Sequence, residues 1–439
     1  MANAFRNIFK IPELRDRVIF TLLALIAFRV GIYIPIPGIN VEAWQGALGG
    51  AQSGVAGGFI GFFDVFAGGA LQNFSIFVMS VTPYINASII LQLLSSVLPS
   101  LKEMMKEGEA GKKKFGALTR KLTLAIGGVQ GLMLSIAASN YSAEALPNFM
   151  FVILSTASIM AGTMFLLWLG EMITEKGIGN GISVLIFAGI VSRYPSYAAQ
   201  AFVGMTPIEW ILLFSVAIII VVATVAVQTS ERRINIQYAK RVVGNKMYGG
   251  SSTYIPVKVN GGGVIPVIFA SAIMTLPNLI SEMTQNTVDD RLFGIGAPLY
   301  LALYGLLVFF FTYFYSSVVL DPNDVANNVR SYGGFIPGIR PGKPTQRYIR
   351  NVMNRVTFIG ALFLVIIALL PYLIRSGAGV NIWIGGTSTL IAVGVALDIL
   401  QQMEQHMIAR QYEGFMKKGK LRGRRWPNEV NLFWSSRRW

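Results

Sequence analysis

Ten runs of predominantly apolar residues, each near the length of a bilayer core, leave this chain little choice of architecture. They lie roughly at 18–36, 72–98, 118–139, 148–170, 181–203, 207–229, 263–283, 298–320, 354–373 and 381–402. A helix needs about 20 such residues to cross the hydrocarbon region. A membrane barrel would show short alternating strands instead. Only 13% of residues are charged and the mean hydropathy is +0.56, whereas soluble domains carry about 25% charged residues. GIYIPIPG after the first run lacks small residues at cleavage spacing, so that run is read as a span. The expectation is an all-α integral membrane protein.

Lysines and arginines sort by loop. Segments expected on one side hold 33 of the 37: four before the first run, seven over 99–121, one at 171–180, six each at 230–262 and 321–355, and nine after residue 402. The opposite loops hold Arg193, Arg291 and Arg375, and Arg29 lies inside the first run. The positive-inside rule then places both termini in the cytoplasm and requires an even number of spans. Ten spans divide into an N-terminal half over 1–203, a C-terminal half over 204–402 and a basic tail over 403–439. Two inverted halves of five are the structural expectation.

The segment 57–98 stands apart. It opens with a short, glycine-punctuated apolar piece holding Asp64, which Gly68 and Gly69 break before the long run begins. That piece is too short to span. Non-helical or half-length backbone at membrane depth is tolerated only where protein or a water-filled cavity surrounds it. The rest of the chain is therefore expected to enclose a cavity.

Several chemistries find no support in the residues. There are no cysteines and one histidine, His406, so thiolate sites and two-imidazole sites are excluded. The phosphate-loop pattern GxxxxGK[ST] does not occur. No cofactor is implied. The ionisable residues singled out at membrane depth are few: Arg29 in the first run, Asp64 in the half-length piece and Asp398 near the inner end of the last run; Arg29 can snorkel to an interface. Without a chain of carboxylates or convergent polar groups, a coupled transporter of a small solute is the weaker alternative. A paired-aspartate hydrolase would need Asp64 and Asp398 to approach each other.

Two basic loops carry more pattern than topology requires. ERRINIQYAKRVVGNKMYGGSSTYIPVKVNGGG (231–263) mixes turn and β-branched residues and predicts a hairpin. In the second loop, FIPGIRPGKP predicts a rigid turn with Arg340 at its tip. Aromatic residues beside the charges (Tyr238, Tyr248, Tyr332, Phe335) favour docking of a cytosolic partner over contact with anionic lipid alone.

SVTPYINASIILQLL, GIGNGISVLIFAGIV, RRINIQYAKR, VNGGGVIPVIFASAI, GGFIPGIRPG and GGTSTLIAVGVALDILQQ closely resemble the signature segments of the bacterial SecY family, in that family's order. The resemblance implies a protein-conducting channel of the bacterial inner membrane, not an enzyme, through which unfolded secretory polypeptides cross and from which hydrophobic segments leave sideways into lipid. It implies ten helices in two pseudo-symmetric halves, a lateral gate between spans 2–3 and 7–8, and a re-entrant plug at about 57–71. The plug maps to Phe59, Ile60, Phe62, Phe63, Asp64, Val65, Phe66, Gly68 and Gly69. The family's apolar pore ring maps to Val81, Ile85, Ile186, Ile190, Ile268 and Ile391, with Val81 smaller than the family's usual residue. Arg232, Arg233, Lys240, Arg241 and Arg340 map to surfaces that dock the ribosome and the SecA ATPase. SecE and SecG are the implied small subunits, with signal-bearing polypeptides as cargo, anionic lipid at the basic loops and no specific nucleic-acid sequence. The last segment, 426–439, has no counterpart in the family's pattern.

Overall fold

The computed structural model describes residues 11–51, 64, 67–142, 147–204, 207–238, 241–243, 246–248, 252–271, 273–274, 297–378 and 386–418. The first half contains α1 (Pro12–Ile32), α2 (Val41–Ala51), α3 (Thr82–Val97), α4 (Pro99–Lys106), α5 (Glu109–Ala138), α6 (Asn148–Lys176) and α7 (Gly181–Gly204). α8 (Pro207–Thr229) opens the second half, followed by β1 (Glu231–Tyr238), β2 (Arg241–Val243), β3 (Lys246–Tyr248) and β4 (Ser252–Lys258). Helical residues follow at 265–271 and 273–274. The chain continues through α9 (Pro298–Val319), α10 (Pro322–Ser331), β5 (Gly334–Phe335), α11 (Lys343–Ala378) and α12 (Gly386–Lys418).

Among the described residues, four helices are long and apolar enough to cross a bilayer, over Glu109–Tyr141, Asn148–Lys176, Pro298–Ser331 and Lys343–Leu370. A fifth would be α3 with α4, bent by 107°. The bend falls at Leu98, whose extended backbone (φ −91°, ψ 113°) is what the following Pro99 enforces by clashing with a helical neighbour. The expected runs 181–203 and 207–229 coincide with α7 and α8 over their whole length, and the others with helix over part of theirs, in α1, 265–271 with 273–274, and α12. Outward-facing Ile218, Ile219, Leu306 and Ile359 are all more than 60% exposed. Such apolar faces suit lipid rather than water.

The run expected at 72–98 is not one helix. Residues 68–81 form successive turns, and α3 begins only at Thr82, with Pro83 in its first turn where a missing N–H costs nothing. The turns are held from several sides. Pro35 bridges Ser75, Ile36 N donates to Phe74 O at 3.0 Å, and α6 passes so close at Gly162 that a Cβ there would meet Ile76 O. Phe74 and Ser80 adopt φ of 43° and 49°, a left-handed conformation unusual for residues with a Cβ.

α5 packs along α3 and α6, α1 and α7 pack on α6, and α9 packs on α11. α12 joins the two groups by contacting α7 as well as α8 and α11. A second junction brings Ile89 of α3 into one core with Val267, Phe269, Tyr304, Val308 and Leu364.

The two basic loops fold into one lobe. β1 is the centre of an antiparallel sheet ordered β4-β1-β5, so the second loop adds a strand to the first. β1 alternates, burying Ile234 and Ile236 and exposing Arg233 and Asn235. The buried face packs with Ala326 of α10 and Ile349 and Met353 of α11. The expected hairpin within 231–263 is present, with β2 and β3 paired inside it.

Candidate functional site

Val81, Ile85, Ile186, Ile190, Ile268 and Ile391 belong to one apolar cluster, together with Phe28, Ile32, Leu185 and Val395. The first two come from the start of α3, the next two from α7, one from the 265–271 helical residues and one from α12. Val81, Ile186, Ile190 and Ile391 are each at most 5% exposed, while Ile85 and Ile268 are partly buried against them. Ile186 and Ile190 are one helical turn apart, which puts both on one face of α7. Four chain segments thus converge on a seam closed by hydrocarbon.

The base of the half-length piece sits on this seam. Ala67 and Ala70 are in the same cluster. Gly68 has φ +64°, and a Cβ there would lie 2.9 Å from Gly189 Cα. Only glycine fits both the left-handed backbone and that approach to α7. Gly69 has φ +99° and lies against the Arg193 guanidinium. Asp64, only 6% exposed, forms an ion pair with Arg193. Arg193 Nη1 also donates to Gln72 Oε1 at 3.3 Å. The expected plug residues Phe59, Ile60, Phe62, Phe63, Val65 and Phe66 lie outside the described residues.

Three further residues at this base were not assigned to the site from the sequence. Arg193, expected in a loop, lies within α7, one turn beyond Ile190 on the same face. Arg29 does not simply snorkel. Its Nη1 donates to Gly68 O at 3.1 Å and to Ser192 Oγ at 2.9 Å, and Nη2 to Tyr33 OH at 3.3 Å. Trp44, on a helix whose first turn is tied down by Asn40 Oδ1 accepting from Ala43 N, donates from Nε1 to Leu71 O at 2.8 Å. Its ring packs edge-on against Phe74 and Tyr141. Arg193 has one legible signal, its i+3 and i+7 spacing from the two α7 isoleucines.

The predicted docking residues gather on the lobe. Arg232 and Arg233 are exposed on β1. Arg233 Nε donates to Glu231 Oε1 at 2.7 Å, and its guanidinium lies 4.7 Å from the Tyr254 ring centroid. The Glu231 hydrogen bond and the charges of Tyr254 and Glu231 push the Arg233 pKa above its usual value. Arg340 is exposed in a turn where Gly338 and Gly342 have φ of +78° and +106°. The turn is closed by Thr345 Oγ1 donating to Arg340 O at 2.9 Å. Arg241 lies in β2, and Lys240 lies outside the described residues, as does 426–439. Asp64 is paired with Arg193 and Asp398 is exposed on α12, so the two carboxylates have different surroundings rather than one hydrolytic site.

Comparison with known proteins places this geometry. A family model described as SecY matches residues 75–400. The protein translocase subunit SecY of Thermotoga maritima is 62% identical over 431 residues, covering 97% of this chain and 100% of that protein. The subunit of the same name from Thermus thermophilus is 43% identical over 442 residues, covering 97% and 100%. A solved structure described as that of a protein conducting channel aligns with a TM-score of 0.63 at 18% identity, covering 92% of this chain and 95% of that one. Sec61 in a canine ribosome-channel complex from the endoplasmic reticulum aligns at 0.60 and 18% identity, over 92% and 95%. At such identity those two likenesses concern the fold, whereas the sequence relatives span essentially the whole chain, which therefore belongs to the SecY family.

Proposed function

We propose that the seam is the closed constriction of a protein-conducting channel in the bacterial cytoplasmic membrane. The observation that carries this reading is the convergence of six apolar side chains from four segments, capped by the base of a half-length segment. An apolar constriction blocks water and ions by dewetting. It also makes no side-chain-specific contact, which suits a polypeptide cargo of any sequence. A transporter of one small solute would instead need a few convergent polar groups at the midplane, and the six residues offer none.

The junction around Ile89, Val267 and Phe269 is held by apolar packing, so the two halves can part there and close again. It serves as the lateral gate, through which a sufficiently hydrophobic segment partitions into lipid while a polar one continues across. The proposed architecture is ten spans in two inverted halves, 1–203 and 204–402, with both termini cytoplasmic. The basic lobe is then cytoplasmic and docks the ribosome or the SecA motor through Arg232, Arg233 and Arg340, and anionic lipid headgroups at its edges. Energy comes from that partner, and SecE and SecG complete the complex.

The test is ion flux in liposomes holding the full-length chain or a version lacking 57–71. Little conductance from the intact chain and flickering, leaky openings after the deletion support the reading. Saturable flux of one solute, unchanged by the deletion, overturns it.

A further inference from the structure

Among the described residues, the Asp64–Arg193 pair differs from every other ion pair in its surroundings. Its side chains are 9% and 14% exposed. Each of the others (Arg15–Asp16, Lys114–Glu107, Arg120–Glu171, Arg233–Glu231) has at least one side chain 45% exposed or more. Exposed pairs contribute little, because water and salt screen them. A pair taken out of water is different in kind: removing one partner strands the other charge where it is poorly solvated.

The partners are also separated by 129 residues along the chain, so their pairing is not needed to form α7. What it joins is the half-length segment and α7. Arg29 adds a second bond from α1, reaching the Gly68 carbonyl and Ser192 Oγ together. Ser192 Oγ in turn donates at 2.7 Å to the carbonyl of Gly189, the same glycine on which Gly68 rests. Ile186, Ile190 and Arg193 are spaced i, i+4, i+7 and lie on one face of α7. At 1.5 Å per residue, the charge stands about 5 Å along the axis from Ile190.

We infer that Asp64, Arg193 and Arg29 form a charge latch that holds the base of the half-length segment against α1 and α7. This rests on the channel reading and adds to it the regulation of the same constriction. The base cannot lift from α7 without parting Asp64 from Arg193 and the Gly68 carbonyl from Arg29. The apolar seal resists water, and the latch sets how rarely the seal is uncovered. Arg193 and Arg29 are positioning residues; they act on the path only through the segment they hold.

The experiment compares resting ion leak of the full-length channel in liposomes across Asp64→Asn, Arg193→Gln, the reversed pair Asp64→Arg/Arg193→Asp, and the 57–71 deletion. Each single neutralisation is expected to raise the leak about ten-fold or more, and the reversed pair to bring it back down. Leak from the deletion but not from the neutralised variants overturns the latch and leaves the channel standing. A silent deletion overturns the channel reading and the latch with it. Because the chain has no cysteine, Asp64→Cys/Arg193→Cys offers a second arm that does not depend on a charge variant folding. Joined by a short, reducible thiol crosslinker, it should lose partner-driven translocation and regain it on reduction. Full translocation while joined overturns the latch.

Discussion

The interior seam and the basic lobe are both small apolar cores, but they are assembled in opposite ways. The seam gathers residues from Ala24 to Val395, and its helices touch through smooth hydrocarbon. The lobe gathers residues from Ile234 to Met353, and a three-stranded sheet with backbone pairing locks its parts together. On the proposed channel reading, one core comes apart and the other stays whole. On that reading the apolar atoms of the seam are themselves the working surface, whereas in the lobe they sit behind a charged one.

The largest effect that could break this contrast comes from wetting the seam. Replacing Ile186, Ile190 and Ile391 together by serine puts hydroxyls where dewetting makes the barrier, and resting ion leak should rise by orders of magnitude. If leak stays at the original level, the seam is ordinary helix packing. The matching change in the lobe is Ile349→Ala. Ile349 is 1% exposed, and truncating a buried isoleucine costs about 2–5 kcal/mol. Protease sensitivity of the lobe and loss of partner binding should follow, with no change in leak. A leak from Ile349→Ala would show that the two cores are mechanically one.

Gly68→Ala tests the closure of the seam itself at intermediate size. The left-handed backbone (φ +64°) costs a residue with a Cβ about 1–2 kcal/mol, and the new methyl meets Gly189 Cα at 2.9 Å. The base of the segment should lift, raising leak several-fold while thermal unfolding of the detergent-solubilised protein moves by only a few degrees. An unchanged leak would mean that the seat on Gly189 is not part of the seal.

The same contrast governs how much was legible beforehand. The lobe's hairpin and its Arg340 turn are written locally, in alternation and in fixed Pro and Gly positions, and the structure has both. What escaped is the union of the two loops, since β5 is only Gly334–Phe335, too short to carry a strand pattern. In the seam the reverse holds. Apolar runs announce helices, yet Ile186 or Ile391 looks like any lipid-facing residue, and only resemblance to a family singled them out. The Asp64–Arg193 pair has no local signature across 129 residues, so Arg193 read as a loop cation. α2 was masked by its glycines (GALGGA), which weaken helix propensity until Trp44 packing is known. The run at 72–98 read as one span interrupted at Thr82-Pro83, because hydropathy does not register the turns before that point, where the helix in fact starts.

The smallest structural effect should come with a large functional one. Arg340 is exposed, and its turn is fixed by Gly338, Gly342 and the Thr345 hydroxyl bonding the Arg340 carbonyl rather than its side chain. Arg340→Ala should therefore leave stability within about 0.5 kcal/mol of the original and leave resting leak untouched. Partner-driven translocation should nonetheless fall sharply, because the rigid turn presents the guanidinium from a backbone that needs no further ordering. Its binding contribution should also weaken as salt rises, since exposed charges are screened over about 8 Å at physiological ionic strength. Lys at the same position separates the two parts of that argument. It keeps the charge and loses the planar fork, so rescue by Arg340→Lys points to charge alone, and failure to rescue points to bidentate recognition of a carboxylate or phosphate on the partner. Full translocation by Arg340→Ala would move the docking surface elsewhere on the lobe, to Arg232 and Arg233 on the sheet.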